Sequence, residues 1–170
     1  MDFEAKLMVE DLQQIKASIR AVDDHIKDIC LGFPEYSYLL TIPGFGLDVS
    51  SKVLGAIGNP FRFDNGKQIL KLAGFDLGAN RSGNTSDSAL PVISKRGNGC
   101  LRYALYQAAF IASTCNRYFI IYYTNKLRDR EREKVIKTKM KMKLAAKMLI
   151  IAWALMKNKE PFDPEFLNID

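Results

Sequence analysis

The stretch from Asp76 to Asn98 concentrates residues suited to covalent or phosphate chemistry. Within it run Gly78-Ala79-Asn80-Arg81-Ser82-Gly83-Asn84-Thr85-Ser86-Asp87-Ser88. These offer hydroxyls, amides and one guanidinium. Small polar residues and glycine make an exposed loop, and exposed loops carry binding and catalytic groups more often than the elements they join. The same composition suits a plain linker, and Ser82 taken alone reads as a loop serine capping a turn. The position between two helical blocks favours more, because a loop there can close over a bound backbone. It leads into Ser94-Lys95-Arg96-Gly97-Asn98, with Asn98 a candidate N-cap for the next helix. Lys95, Arg96 and Arg102 lie near that helix start, where the helix dipole adds to their attraction for an anion.

Other chemistries find little material. The single His25 leaves a His-dependent metal site or Ser-His catalysis little room. Cys30, Cys100 and Cys115 are odd in number and widely spaced, with no metal or disulfide pattern, and read as reduced thiols. No metal-ligand set is recognisable, and no phosphate-loop motif is present. The acidic start does not look like a signal peptide. The longest apolar run near the C-terminus, Met148 to Met156, is too short to span a bilayer. A cytoplasmic protein without a membrane partner is therefore expected.

Charge points to a polyanionic partner. The 170 residues carry a formal net charge of +6. The excess is local: Lys95 to Lys147 holds 14 Lys/Arg against 3 Asp/Glu, while the remainder holds 11 against 16. Clustered positive charge makes a phosphate-attracting field that a total does not reveal. Nine of the bases lie between Lys126 and Lys143, among them Arg128, Arg130 and Arg132. A solvated helix face is the common meaning of such a run, and contact with a nucleic-acid backbone is the alternative.

The elements that must position these residues read as helical throughout. Residues 3 to 30 place Ala5, Met8, Leu12, Ile15, Ile19, Val22, Ile26 and Ile29 at alternating spacings of three and four. That heptad seam predicts a coiled coil, or else an amphipathic helix packed on its own domain. Gly32 and Pro34 end it. Next, Leu39-Leu40-Thr41-Ile42-Pro43-Gly44-Phe45-Gly46 leads into Val49-Ser50-Ser51-Lys52-Val53-Leu54, which looks like a helix-hairpin-helix. Its Pro43, Gly44 and Gly46 would let backbone N–H groups approach a phosphate without regard to sequence. A plain helical corner is the other reading. Gly58-Asn59-Pro60 breaks the second helix, and Lys67 to Ala73 forms a short one closed by Gly74. After Asn98, Leu101, Leu105, Ala108, Ala109 and Ala112 give an apolar stripe. A last helix from about Lys139 to Lys157 carries Met140, Leu144, Met148, Ile151 and Leu155. No strand signal is clear.

Several blocks together resemble the C-terminal half of the insertion-sequence one-ten transposases, the group that includes bridge-RNA-guided recombinases and related DNA invertases. The matching pieces, in order, are Leu40 to Gly46, Phe61-Arg62-Phe63, Leu72-Ala73-Gly74-Phe75, Arg81-Ser82-Gly83, Ile93 to Asn98 with Leu101-Arg102, Lys147-Met148-Leu149, and Pro161-Phe162-Asp163-Pro164. The resemblance spans about residues 35 to 167, and its order is more specific than any one block. The N-terminal heptads resemble the coiled coil that precedes this domain in the family.

The resemblance implies that Ser82 attacks a DNA phosphate and forms a phosphoserine link, which splits one hard step into two easier ones. It also implies Mg²⁺, held by four acidic residues of a resolvase-like N-terminal domain that is not recognisable in this sequence. The chain by itself is then expected to cut no DNA. Implied partners are DNA, a guide (bridge) RNA and further copies of the chain joined through the N-terminal helix, in a nucleoid-associated setting. Arg81, Lys95, Arg96 and Arg102 are phosphate-clamp candidates by charge and position.

The expected architecture is all-α. It comprises a coiled-coil helix at 1–31 and a compact domain at 35–167, with a helix-hairpin-helix-like unit at 39–57, a serine loop at 76–98 and basic helices at 99–157. The competing function is a non-catalytic dimeric helix-hairpin-helix module that binds DNA or RNA. A weaker third reading is a structural helical protein whose charge serves solvation alone.

Overall fold

The computed structural model describes residues 3–78 and 92–167. Seven helices follow in chain order: α1 (Phe3–Leu31), α2 (Pro34–Leu40), α3 (Leu47–Ile57), α4 (Gly66–Ala73), α5 (Gly99–Cys115), α6 (Arg117–Leu127) and α7 (Ile136–Asn158). Short 3-10 turns occupy Pro60–Arg62 and Pro164–Leu167. The fold is all-helical as expected, apart from a two-residue antiparallel pair, β1 (Leu77–Gly78) and β2 (Val92–Ile93). A ladder this short leaves no alternation to read in a sequence.

The predicted helix signals act where they were read. Asn98 accepts from the backbone N–H of Leu101 at 3.0 Å and starts α5. Gly74 closes α4 in the left-handed conformation, at φ 70°. Asn65 and Asn116, not singled out in the sequence, cap α4 and α6 in the same way as Asn98.

The core lies between α5 and α7. Leu101, Ala104, Leu105, Ala108, Ala109 and Ala112 of α5 are buried. The expected α7 stripe, Met140, Leu144, Met148, Ile151 and Leu155, is buried too. Alanines along α5 let its neighbours approach closely. At the hairpin, Gly44 sits at φ 89°, and a Cβ there would meet the Ala108 carbonyl oxygen at 2.5 Å. Gly44 therefore seats the α2–α3 turn on α5. The chain after α7 folds back: the Phe162 N–H donates to Thr41 Oγ1 at 2.8 Å, and the Phe162 ring stacks on buried Phe119. Trp153 Nε1 donates to the Pro60 carbonyl at 2.8 Å, tying α7 to the first 3-10 turn.

α1 behaves differently. At about 1.5 Å per residue, its 29 residues extend roughly 43 Å. Only Cys30 of the whole helix is buried, where burial raises its thiol pKa. Met8, Leu12, Ile15, Ile19 and Val22 are each more than half exposed, so the heptad seam as far as Val22 is not packed on its own domain.

Candidate nucleic-acid interface

The two ends of the serine-bearing stretch are brought together by a neck. Leu77 pairs with Ile93 and Gly78 with Val92. Below this ladder the chain is laced to the C-terminus of α4. Ser94 N–H donates to the Asp76 carbonyl at 2.7 Å, Lys95 N–H to the Gly74 carbonyl at 3.1 Å, and Asn98 N–H to the Leu72 carbonyl at 2.7 Å. Ser94 Oγ also donates to the Asp76 carboxylate. Gly97 presses on the α4 end so closely that a Cβ there would overlap the Gly74 nitrogen and the Leu72 and Lys71 carbonyl oxygens. The residues between the strands, including Arg81, Ser82, Ser86 and Ser88, lie outside the described residues.

The neck candidates divide into two roles. Lys95 and Arg96 are exposed, and Lys95 holds a left-handed backbone at φ 57°. A non-glycine residue in that region is held there by its surroundings, here by the bond to Gly74. Arg102 is half-buried and donates from Nη1 to the Ala73 carbonyl at 2.8 Å. That bond satisfies one of the orphan carbonyls at the end of α4. Arg102 thus braces the neck, a task its charge did not reveal.

The hairpin candidates sit elsewhere. Gly46 is exposed and is the N-cap of α3, with no side-chain cap, and Pro43 and Gly44 are half-buried. Asp48 follows in the first turn, 2.6 Å from Lys52. Its carboxylate already serves the positive end of the helix, which a phosphate would otherwise do.

The basic run differs from the helical expectation. Arg128 caps the end of α6, and residues 128–135 form turns, with Asp129 and Val135 at positive φ. Arg128, Arg130 and Arg132 are exposed but not on a helix. Arg130 is held bidentately by Glu133, Nε–Oε1 at 2.7 Å and Nη2–Oε2 at 2.9 Å. This pairing raises the pKa of Arg130, lowers that of Glu133, and occupies one of the cations counted in the sequence.

Further along, the cations of α7 crowd one another. Lys141 is pushed below its ordinary pKa by burial and by neighbouring Lys137. Lys147 is lowered by burial and by Lys126 of α6. In both lysines burial is the larger cause, and the neighbouring like charge adds to it. Lys141 also sits 3.8 Å from the centre of the Phe110 ring on α5. Sequence reading passed over Phe110 because its neighbours in the helix are core alanines. The available signal was the absence of any Asp or Glu from Ser88 through Arg128.

The model of the Transposase IS116/IS110/IS902 family matches residues 36–124, just over half the chain. The chain belongs to this transposase family. Membership gives it a role in transposition or DNA recombination. The matched range starts within α2, takes in the hairpin, the neck and α5, and ends within α6. Helices α1 and α7 and the Pro161–Pro164 tail of this transposase-family chain lie outside it. None of the curated proteins matches the chain. No helix among the described residues is long and apolar enough to cross a membrane. Also among the described residues, no group of three or more His, Cys, Asp or Glu side chains could hold a metal ion.

Proposed function

We propose that this chain is the DNA-binding, nucleophile-bearing C-terminal part of a transposase, with Ser82 as the attacking group. The observation that carries the reading is the neck. Leu77–Gly78 and Val92–Ile93 pair beside Lys95 and Arg96, so both ends of the Ser82 segment are fixed at a cationic helix start. A nucleophile is useful when its anchor points are rigid and its target phosphate is held nearby.

In the proposed step, Ser82 Oγ attacks the scissile phosphorus. The Oγ–P bond forms, the bond from phosphorus to the leaving sugar oxygen breaks, and that oxygen takes up a proton. The phosphoserine keeps the phosphodiester energy, so a second sugar hydroxyl can displace Oγ and restore the serine without ATP. Lys95 and Arg96 hold the phosphate, and Arg81 joins them from the same segment. The hairpin at Pro43, Gly44 and Gly46 and the turn bearing Arg128, Arg130 and Arg132 contact backbone phosphates farther off, where a phosphate competes with Asp48 for the start of α3 and with Glu133 for Arg130.

The Mg²⁺ implied by the family finds no fit among the described residues, where no three His, Cys, Asp or Glu side chains come together to hold a metal ion. The reading leaves its ligands to the acidic N-terminal domain that the family resemblance implies. The exposed seam of α1 supports assembly of copies through a coiled coil, and a guide RNA is a further partner on the basic surface.

The test combines the chain with an acidic domain of the family, Mg²⁺ and recombination-site DNA. Wild type gives strand transfer, and Ser82→Ala gives none while retaining DNA affinity. Transfer that survives Ser82→Ala would refute the nucleophile. A non-catalytic module would bind identically in both forms and transfer in neither.

A further inference from the structure

The exposed side of α5 is unusual for a helix at the centre of a core. Its inner face is buried alanine and leucine, yet its outer face carries Tyr103, 62% exposed, and Phe110, 49% exposed. Seven residues separate them, so both lie on one face about 10 Å apart along the axis. Gln107 lies between them and donates to the Tyr103 hydroxyl at 3.2 Å. Large exposed rings on one face mark a contact surface.

Charge identifies the chemistry of the occupant. Helices α5, α6 and α7 contain no Asp or Glu. Lys141 lies over the Phe110 ring at 3.8 Å, and Lys137 lies one turn away on the same face of α7. The Tyr123 hydroxyl, donating to the Lys137 carbonyl at 3.4 Å, ties α6 to this corner. Rings beside cations, with no carboxylate on the three helices, suit a ligand with flat apolar faces and negative charge together. An unpaired nucleic-acid strand has both, whereas a duplex hides its base faces in the stack.

We infer that Tyr103 and Phe110 form a stacking platform for unpaired DNA, with Lys141 and Lys137 holding its phosphates. The spacing admits about three base steps at roughly 3.4 Å each. The DNA source follows from position. Tyr103 lies in the first turns of α5, whose start is laced to the neck of the Ser82 segment. The inference rests on the transposase reading above and adds that the DNA is opened where it meets this helix.

The test uses the full chain and fluorescence anisotropy with three labelled probes: a twelve-nucleotide oligothymidine, the matching RNA strand and a twelve-base-pair duplex. Phe110→Ala and Tyr103→Ala should each weaken oligothymidine binding at least about fivefold and leave duplex binding within twofold. A second measurement does not depend on the alanine variants folding. Phe110→Trp adds a reporter to a chain with one tryptophan, and its emission should be quenched by oligothymidine and not by duplex. Equal losses for strand and duplex, no quenching, or preference for the RNA strand would overturn the platform. A wild-type chain that binds none of the three probes would sink the DNA reading itself, and the platform with it.

Discussion

Helices α1 and α7 both carry an apolar stripe at helical spacing and meet opposite fates. Of the 29 residues of α1 one is buried, and of the 23 residues of α7 ten are. The difference lies in their neighbours. α7 finds the alanine-rich face of α5, where small side chains allow close approach, and its methionines fill the remaining space. α1 touches its own domain only near its C-terminal end, where Ile26 and Cys30 reach the core. A stripe in a sequence says that a face wants cover, without saying whether the cover comes from the same chain. The strict three–four spacing of α1 is the coiled-coil pattern, and most of its seam stays exposed.

The comparison can be broken at several points. Phe119, fully buried and stacked on Phe162, belongs to the packed region. Phe119→Ala should cost about 3–5 kcal/mol, read as a lowered denaturation midpoint. A cost below about 1 kcal/mol would mean that the core is not closed as described. Ile19→Asp, in the uncovered seam, should behave in reverse. It should leave the bundle's melting within a few degrees of wild type and abolish self-association in sedimentation experiments. If Ile19→Asp instead melts the bundle, α1 packs on its own domain after all.

The smallest effect concerns the turn at 128–135. Glu133→Gln removes the carboxylate that occupies Arg130, so DNA affinity should rise a few-fold, about what one exposed ion pair governs. The salt slope should steepen by roughly one counterion. An unchanged slope would place Arg130 outside the DNA contact.

Most of the fold was legible because its signals are local. Gly32 and Pro34 end α1, Gly58 ends α3, Gly74 ends α4, and Asn98 starts α5, each through backbone geometry set by the residue itself. The β1–β2 pair was not legible, because it joins residues fifteen or so apart through backbone groups with no side-chain pattern. The break between α6 and α7 was obscured by a run of lysines and arginines that suit a helix, while the chain there turns at Asp129 and Val135. At the candidate site, charge and position in the sequence put Arg102 and Arg130 among the candidates for DNA contact. The structure gives each a protein partner, the Ala73 carbonyl and Glu133. Phe110 went unnoticed because its value depends on a lysine thirty-one positions away.

The role of Ser82 is tested most directly by locating the covalent link. DNA with a recombination site, Mg²⁺, an acidic domain of the family and this chain are combined, the reaction is stopped in denaturant, and nuclease and trypsin digestion precede mass spectrometry. The account predicts a nucleotide remnant on Ser82, within the peptide running from Ser82 to Lys95. A remnant on Ser86 or Ser88, or strand transfer with no protein–DNA link at all, would contradict it.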